Sequence, residues 1–153
     1  MRPTIAVMAA LIPILIVLLA GVGVAVQPPT NAALAKISGS LWLASLVSFA
    51  VGTMVLAAGW AALDRTPLSA LKGAPGWAWA GGLYGACFVA ALAYAAPRLG
   101  LASTLTIAVA GQLVTAILLD HFGLLGLKVE PVSVARIGGV ALVIAGVLLV
   151  RRG

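Results

Sequence analysis

Charge is what this sequence has least of. Only 8% of its 153 residues are Asp, Glu, Lys or Arg, and only three are acidic, against about a quarter charged in ordinary soluble domains. One cysteine, Cys87, lies alone in an apolar stretch, so no internal disulfide forms and the redox compartment cannot be read from it. The single histidine, His121, stands beside Asp120, and two such groups do not make a metal site. A Ser/His/Asp set at workable depths and a Gly-rich phosphate loop are both missing. The chain is therefore not expected to be an enzyme or to hold a cofactor or metal. The net charge of +6 comes from nine basic residues scattered singly, with no basic stripe or aromatic-interleaved patch, so no nucleic-acid partner is expected.

What the chain does have is apolar surface, with 63% of its residues hydrophobic. A soluble domain of this size cannot bury so much, and a lipid bilayer is the matching solvent. Five segments approach the ~20 residues that a helix needs to cross a ~30 Å hydrocarbon core. They cover residues 4–26, 41–63, 77–96, 101–119 and 132–150 of a single five-helix domain spanning 1–153. The first is longer than the ~7–15 apolar residues of a signal peptide and lacks a convincing cleavage site, so it reads as a retained span. It either ends at a proline-rich exit or continues as a kinked helix towards Lys36. The period-two alternation of a barrel strand is absent, and lipid-facing backbone must satisfy its own hydrogen bonds. The expected fold is an all-α integral membrane protein with five transmembrane helices.

The connections are short. Asp64–Gly76 holds Pro67, Pro75 and two glycines; Pro97-Arg98-Leu99-Gly100 reads as a tight hairpin; Pro131 and Ser133 suit the start of the last helix. Trp60, Trp77 and Trp79 flank one loop, as an interfacial belt does. Odd-numbered spans put Arg2, Arg65, Lys72, Lys128 and Arg136 on one side, and Lys36, Arg98, Arg151 and Arg152 on the other. Five against four is almost no bias for the positive-inside rule to act on. Either another feature fixes one orientation, or copies insert both ways and pair antiparallel, recreating the inverted repeat of many secondary transporters.

Polar side chains inside the spans are few, and each is costly unless it faces protein or water. In GQLVTAILLDHFG (residues 111–123), Gln112 interrupts the 19 uncharged residues from Leu101 to Leu119. It serves either as interhelical glue or as a cavity wall; Thr115 lies three residues on, and Ser103, Thr104 and Thr106 lie before it. Gln27 and Asn31 share a helical face, with Pro28 and Pro29 between them removing two backbone donors. A helix interrupted beside two amides suits solute coordination. Gly81/Gly85 and Gly82/Ala86 are small-residue pairs that favour close packing. Tyr84, Tyr94 and Trp42 fit packing or belt roles as well as cavity walls. Asp120 lies about 80° round the helix from Gln112 and ~12 Å along it. It is either a helix-end residue, bonded to loop donors or to Arg136, or a protonatable coupling group.

The ordered set Gln27…Asn31…Leu34, Ser48-Phe49…Gly52, Gly82…Gly85…Phe88-Val89, Pro97-Arg98-Leu99-Gly100, Gly111-Gln112-Leu113…Asp120…Phe122-Gly123 and Arg136…Gly139…Gly146 resembles the half-length, five-span YdcZ-like family of the drug/metabolite transporter superfamily. The last span is also similar to the final helix of small multidrug resistance exporters, where that helix is a dimer seam. Gly139 and Gly146 share one stripe there. The resemblance implies a multi-pass protein of the bacterial inner membrane. It also implies an antiparallel pairing, with itself or with a homologous five-span chain, into a ten-helix unit of inverted-repeat symmetry. It implies a secondary transporter, an exporter of small metabolites or drugs by alternating access. The solute site would draw on Gln112, Gln27, Asn31, Ser48 and Thr115, with Asp120 in a coupling or helix-end role and Gly139 and Gly146 at the dimer interface. One departure stands out: small multidrug exporters carry a glutamate in their first helix, and this chain has no acid there, Gln27 being the nearest polar group. The alternative is a non-transporting scaffold or accessory subunit that packs its glycine faces against another membrane protein.

Overall fold

The computed structural model describes residues 3–152, with side chains from Leu11 onward. Five α-helices account for most of the described chain, and no strand occurs among these residues: α1 (Pro3–Ser38), α2 (Leu41–Gly59), α3 (Gly81–Leu99), α4 (Leu101–Phe122) and α5 (Val134–Arg152). Five stretches are long and apolar enough to cross a membrane: Leu11–Ser38, Leu41–Asp64, Gly76–Leu99, Leu101–Phe122 and Val134–Arg152. The chain divides into two compact units, Met1–Pro97 and Arg98–Gly153.

In the first unit, α1 runs through Pro28 and Pro29 without a break and ends at Ser38 rather than near Val26. Each proline lacks the N–H that would bond four residues back, so the carbonyls of Val24 and Ala25 lose their usual partners. A membrane-spanning helix tolerates this when local side chains help to hold the backbone. Beside Pro28 and Pro29 the Thr30 hydroxyl donates to Gln27 O at 2.8 Å and Val26 O at 3.2 Å, neither of them a carbonyl that the prolines free. Span one thus continues as helix towards Lys36, and the proline-rich exit loop is not the form the chain adopts.

Only Gly39 and Ser40 separate α1 from α2. Gly39 takes φ +69°, a left-handed turn that glycine adopts without steric cost. The Ser38 hydroxyl donates to Leu34 O at 2.8 Å, and Ser40 Oγ accepts from the Leu43 N–H at 3.2 Å as the α2 N-cap. The two helices pack along each other as a hairpin. Beyond Gly59, a π-helical turn from Trp60 to Asp64 extends the second span. Its loop is tied by its own side chains: Trp60 Nε1 donates to Thr66 O at 2.9 Å, and Arg65 Nε to Ala61 O at 2.7 Å. In α3, Val89, Ala90, Leu92, Ala93 and Ala96 are buried on one helical stripe. Phe49 of α2 lies over Gly85, where an added Cβ would sit 3.4 Å from the ring.

In the second unit, α4 and α5 pack together. Gly100, at φ +82°, is the one residue between α3 and α4. The α4 end is closed by Gly123, whose N–H reaches Asp120 O and Leu119 O in a left-handed cap. Gly123 has φ +61°, and a Cβ there would meet Val129 Cγ2 at 2.6 Å and Leu127 O at 3.2 Å. Gly123→Ala is therefore expected to destabilise the protein by about 1–2 kcal/mol from the left-handed backbone alone. Thermal unfolding in detergent measures this, and an unshifted midpoint would show that the 123–133 loop yields freely.

Candidate functional site

The polar positions of the first unit gather on the α1–α2 hairpin. At 1.5 Å of rise per residue, Asn31 lies ~12 Å, Ser45 ~9 Å, Ser48 ~13 Å and Gln27 ~18 Å from the Gly39 turn. In a hydrocarbon core of ~30 Å this puts Gln27 and Ser48 near the midplane, and Asn31 and Ser45 within one leaflet. Asn31 is 3% exposed and Ser45 6% exposed, while Gln27 and Ser48 are half-buried and Pro28 is fully buried. Asn31 Nδ2 and Ser45 Oγ have no hydrogen-bond partner among the described residues. A buried polar group left unpaired costs about 1–3 kcal/mol, so two on one hairpin call for an explanation.

Ser45 also lines a groove of about 400 Å³ with Trp42, Leu46, Phe49 and Ala86. Trp42, Ser45 and Phe49 are spaced by three and four residues, which stacks them on one face of α2. The wall is apolar and aromatic apart from Ser45. Sequence reasoning passed over Ser45 in favour of Ser48. Its i+3 relation to Trp42 was the available signal, but burial is a tertiary property that spacing alone does not carry.

The polar positions of the second unit lie on α4. Thr104 is buried and donates to Gly100 O at 2.8 Å, Thr106 donates to Ala102 O, and Thr115 donates to Gly111 O at 2.9 Å. Each threonine spends its proton on its own helix, the usual way a membrane helix hides a hydroxyl. Gln112 has no such outlet. It is exposed at mid-helix, as is Thr115 one turn on, and its side chain bonds nothing among the described residues.

Asp120 closes α4. Its Oδ2 pairs with Arg136 Nη1 at 3.3 Å, and Arg136 also pairs with Glu130. The Asp120 carbonyl accepts the Glu130 N–H at 2.8 Å, and His121 Nδ1 accepts the Val132 N–H at 3.2 Å. These bonds fasten the end of α4 to the loop and to the first turn of α5. On α5 no residue is buried, and neither Gly139 nor Gly146 has an atom within 4 Å of where a Cβ would stand. The glycine stripe is open in the single chain.

A protein-family model described as "Putative inner membrane exporter, YdcZ" matches residues 12–149. Neither the curated proteins nor the solved structures yielded a match.

Proposed function

The chain belongs to the YdcZ family of inner membrane exporters, and from that premise we propose that it carries small uncharged or zwitterionic metabolites or drugs outward by alternating access. The observation that supports this most is the set of polar groups left unanswered within apolar spans: Asn31 Nδ2, Ser45 Oγ and the Gln112 amide. Polar groups at membrane depth persist where they serve a solute path or a partner. Gln27, Asn31 and Ser48 on the hairpin of the first unit are proposed solute contacts, and so, in the second unit, are Gln112 and Thr115 on α4.

The path carries no acid. Asp64 and Asp120 stand at span ends and Glu130 in a loop, and Asp120 is held by Arg136. Its proposed role is to fix the helix end rather than to shuttle protons. Two copies in antiparallel orientation would supply the ten-helix unit, with the open Gly139 and Gly146 stripe as the seam; the five-to-four distribution of basic residues supports dual insertion. A non-transporting scaffold accounts for the glycine stripe, and would have to answer the unpartnered polar atoms with groups from its partner.

Liposomes containing the purified protein and a broad panel of small solutes test this reading, with and without a pH gradient. Saturable, protein-dependent flux of at least one solute is expected. Absence of flux across the whole panel would favour the scaffold. Separately, a reporter fused to the C-terminus is expected on both sides of the membrane, and a single orientation would remove dual insertion.

A further inference from the structure

The unpartnered atoms of the α1–α2 hairpin have a chemistry of their own. Asn31 Nδ2 carries two N–H donors and no lone pair to offer, so it calls for an acceptor; Ser45 Oγ both donates and accepts. The two residues sit within ~3 Å of the same depth on packed helices, and Ser45, its Oγ buried, is among the residues that line the groove with Trp42, Leu46, Phe49 and Ala86. We infer that Asn31 and Ser45 form the polar end of a solute subsite that takes an uncharged amphipathic molecule, its oxygen on these two side chains and its flat apolar body in the groove. The inference rests on the export reading only for its purpose; the binding site itself stands or falls separately.

Charge discriminates the ligand class. Asn31 is five residues from Lys36, the nearest ionic group on α1, which places Lys36 ~140° round the helix, and Lys36 is exposed. The residues from Leu41 to Leu63 contain no ionic group. An ion at Ser45 would give up its hydration with no opposite charge to replace it. An oxygen acceptor that is neutral loses far less and gains two hydrogen bonds. The groove, at about 400 Å³, is at the small end of the ~300–1,000 Å³ typical of ligand pockets. A compact solute with a single ring fits better than a drug-sized one. A lipid acyl chain would fill the apolar wall yet leave both polar atoms unanswered, which is why a solute with an oxygen is the assigned occupant.

Trp42 provides the reporter. With Trp60→Phe, Trp77→Phe and Trp79→Phe, its emission alone is read in the full-length protein in nanodiscs. Benzamide, benzyl alcohol and phenol are the neutral probes, toluene the apolar one, and benzoate and benzylammonium the charged ones. At least one neutral probe is expected to give a saturable change, with toluene and both ions about tenfold weaker or undetectable. Asn31→Leu and Ser45→Ala should each weaken the neutral probe about tenfold, the size of one neutral hydrogen bond. Both variants should melt at or above the parent temperature, because each removes an unsatisfied buried group. The inference is overturned if no neutral probe saturates, or if toluene binds as well as they do, which would make the groove an acyl-chain contact. It is equally overturned if both substitutions leave binding intact, or if both lower the melting temperature, which would mean the two atoms hold structural bonds. Binding without flux in liposomes would leave the subsite standing and remove the export reading. Flux unaltered by both substitutions would do the reverse.

Discussion

Gln112→Ala is expected to lower protein-dependent solute flux in liposomes at least tenfold while leaving the melting temperature within a degree or two. Gln112 is exposed at the middle of α4 and bonds nothing among the described residues, so its removal breaks no hydrogen bond there. A hydrogen bond to a passing solute is worth about 1 kcal/mol or more when neutral, and more where water is excluded, and a tenfold loss corresponds to about 1.4 kcal/mol. If the amide instead glues two chains together, worth ~0.6–2 kcal/mol, the variant loses dimer stability and keeps the flux of whatever dimer remains. Flux per dimer and dimer affinity, measured on the same preparation, separate the two roles.

Pro29→Ala is the second large effect, and its two consequences run in opposite directions. Pro29 is exposed inside α1, whereas Pro28 is fully buried and would leave a hole if truncated. Alanine at 29 restores an N–H four residues beyond Ala25, closing a hydrogen bond that proline denies. In a soluble helix the exchange is worth up to ~3 kcal/mol, so a clear rise in melting temperature is expected. Flux should fall several-fold, because the paired prolines beside Gln27 and Asn31 leave carbonyls without helical donors and weaken the helix at a point where alternating access can bend it. A stabilised variant with unaltered flux would show that the prolines play no part in transport.

That the chain holds five helices long and apolar enough to cross a membrane was legible, because length and hydropathy alone decide it. The course of α1 was not. Residues 27–31 read QPPTN, polar and proline-rich, yet the helix continues through them to Ser38. At 97–100, Pro97 and Arg98 remain inside α3, which runs to Leu99, and Gly100 with its positive φ separates it from α4. Amides stood out at Gln27, Asn31 and Gln112 because anything polar does in such company. Ser45 did not, as serine is common in membrane helices and its burial depends on what packs against α2. Which faces meet is the least legible property of all: with nearly every face apolar, no stripe marks the inside from the outside.

The central claim, that a hydrated solute path runs past the middle of α4, is tested most directly at Gln112 itself. With the one native cysteine removed by Cys87→Ala, Gln112→Cys is exposed in intact membranes to a maleimide that cannot cross the bilayer. Labelling is predicted, and it should slow when a transported solute is present. Labelling only by a lipid-soluble maleimide, with none by the impermeant reagent from either side, would place the position in lipid or in a dry interface and contradict the path.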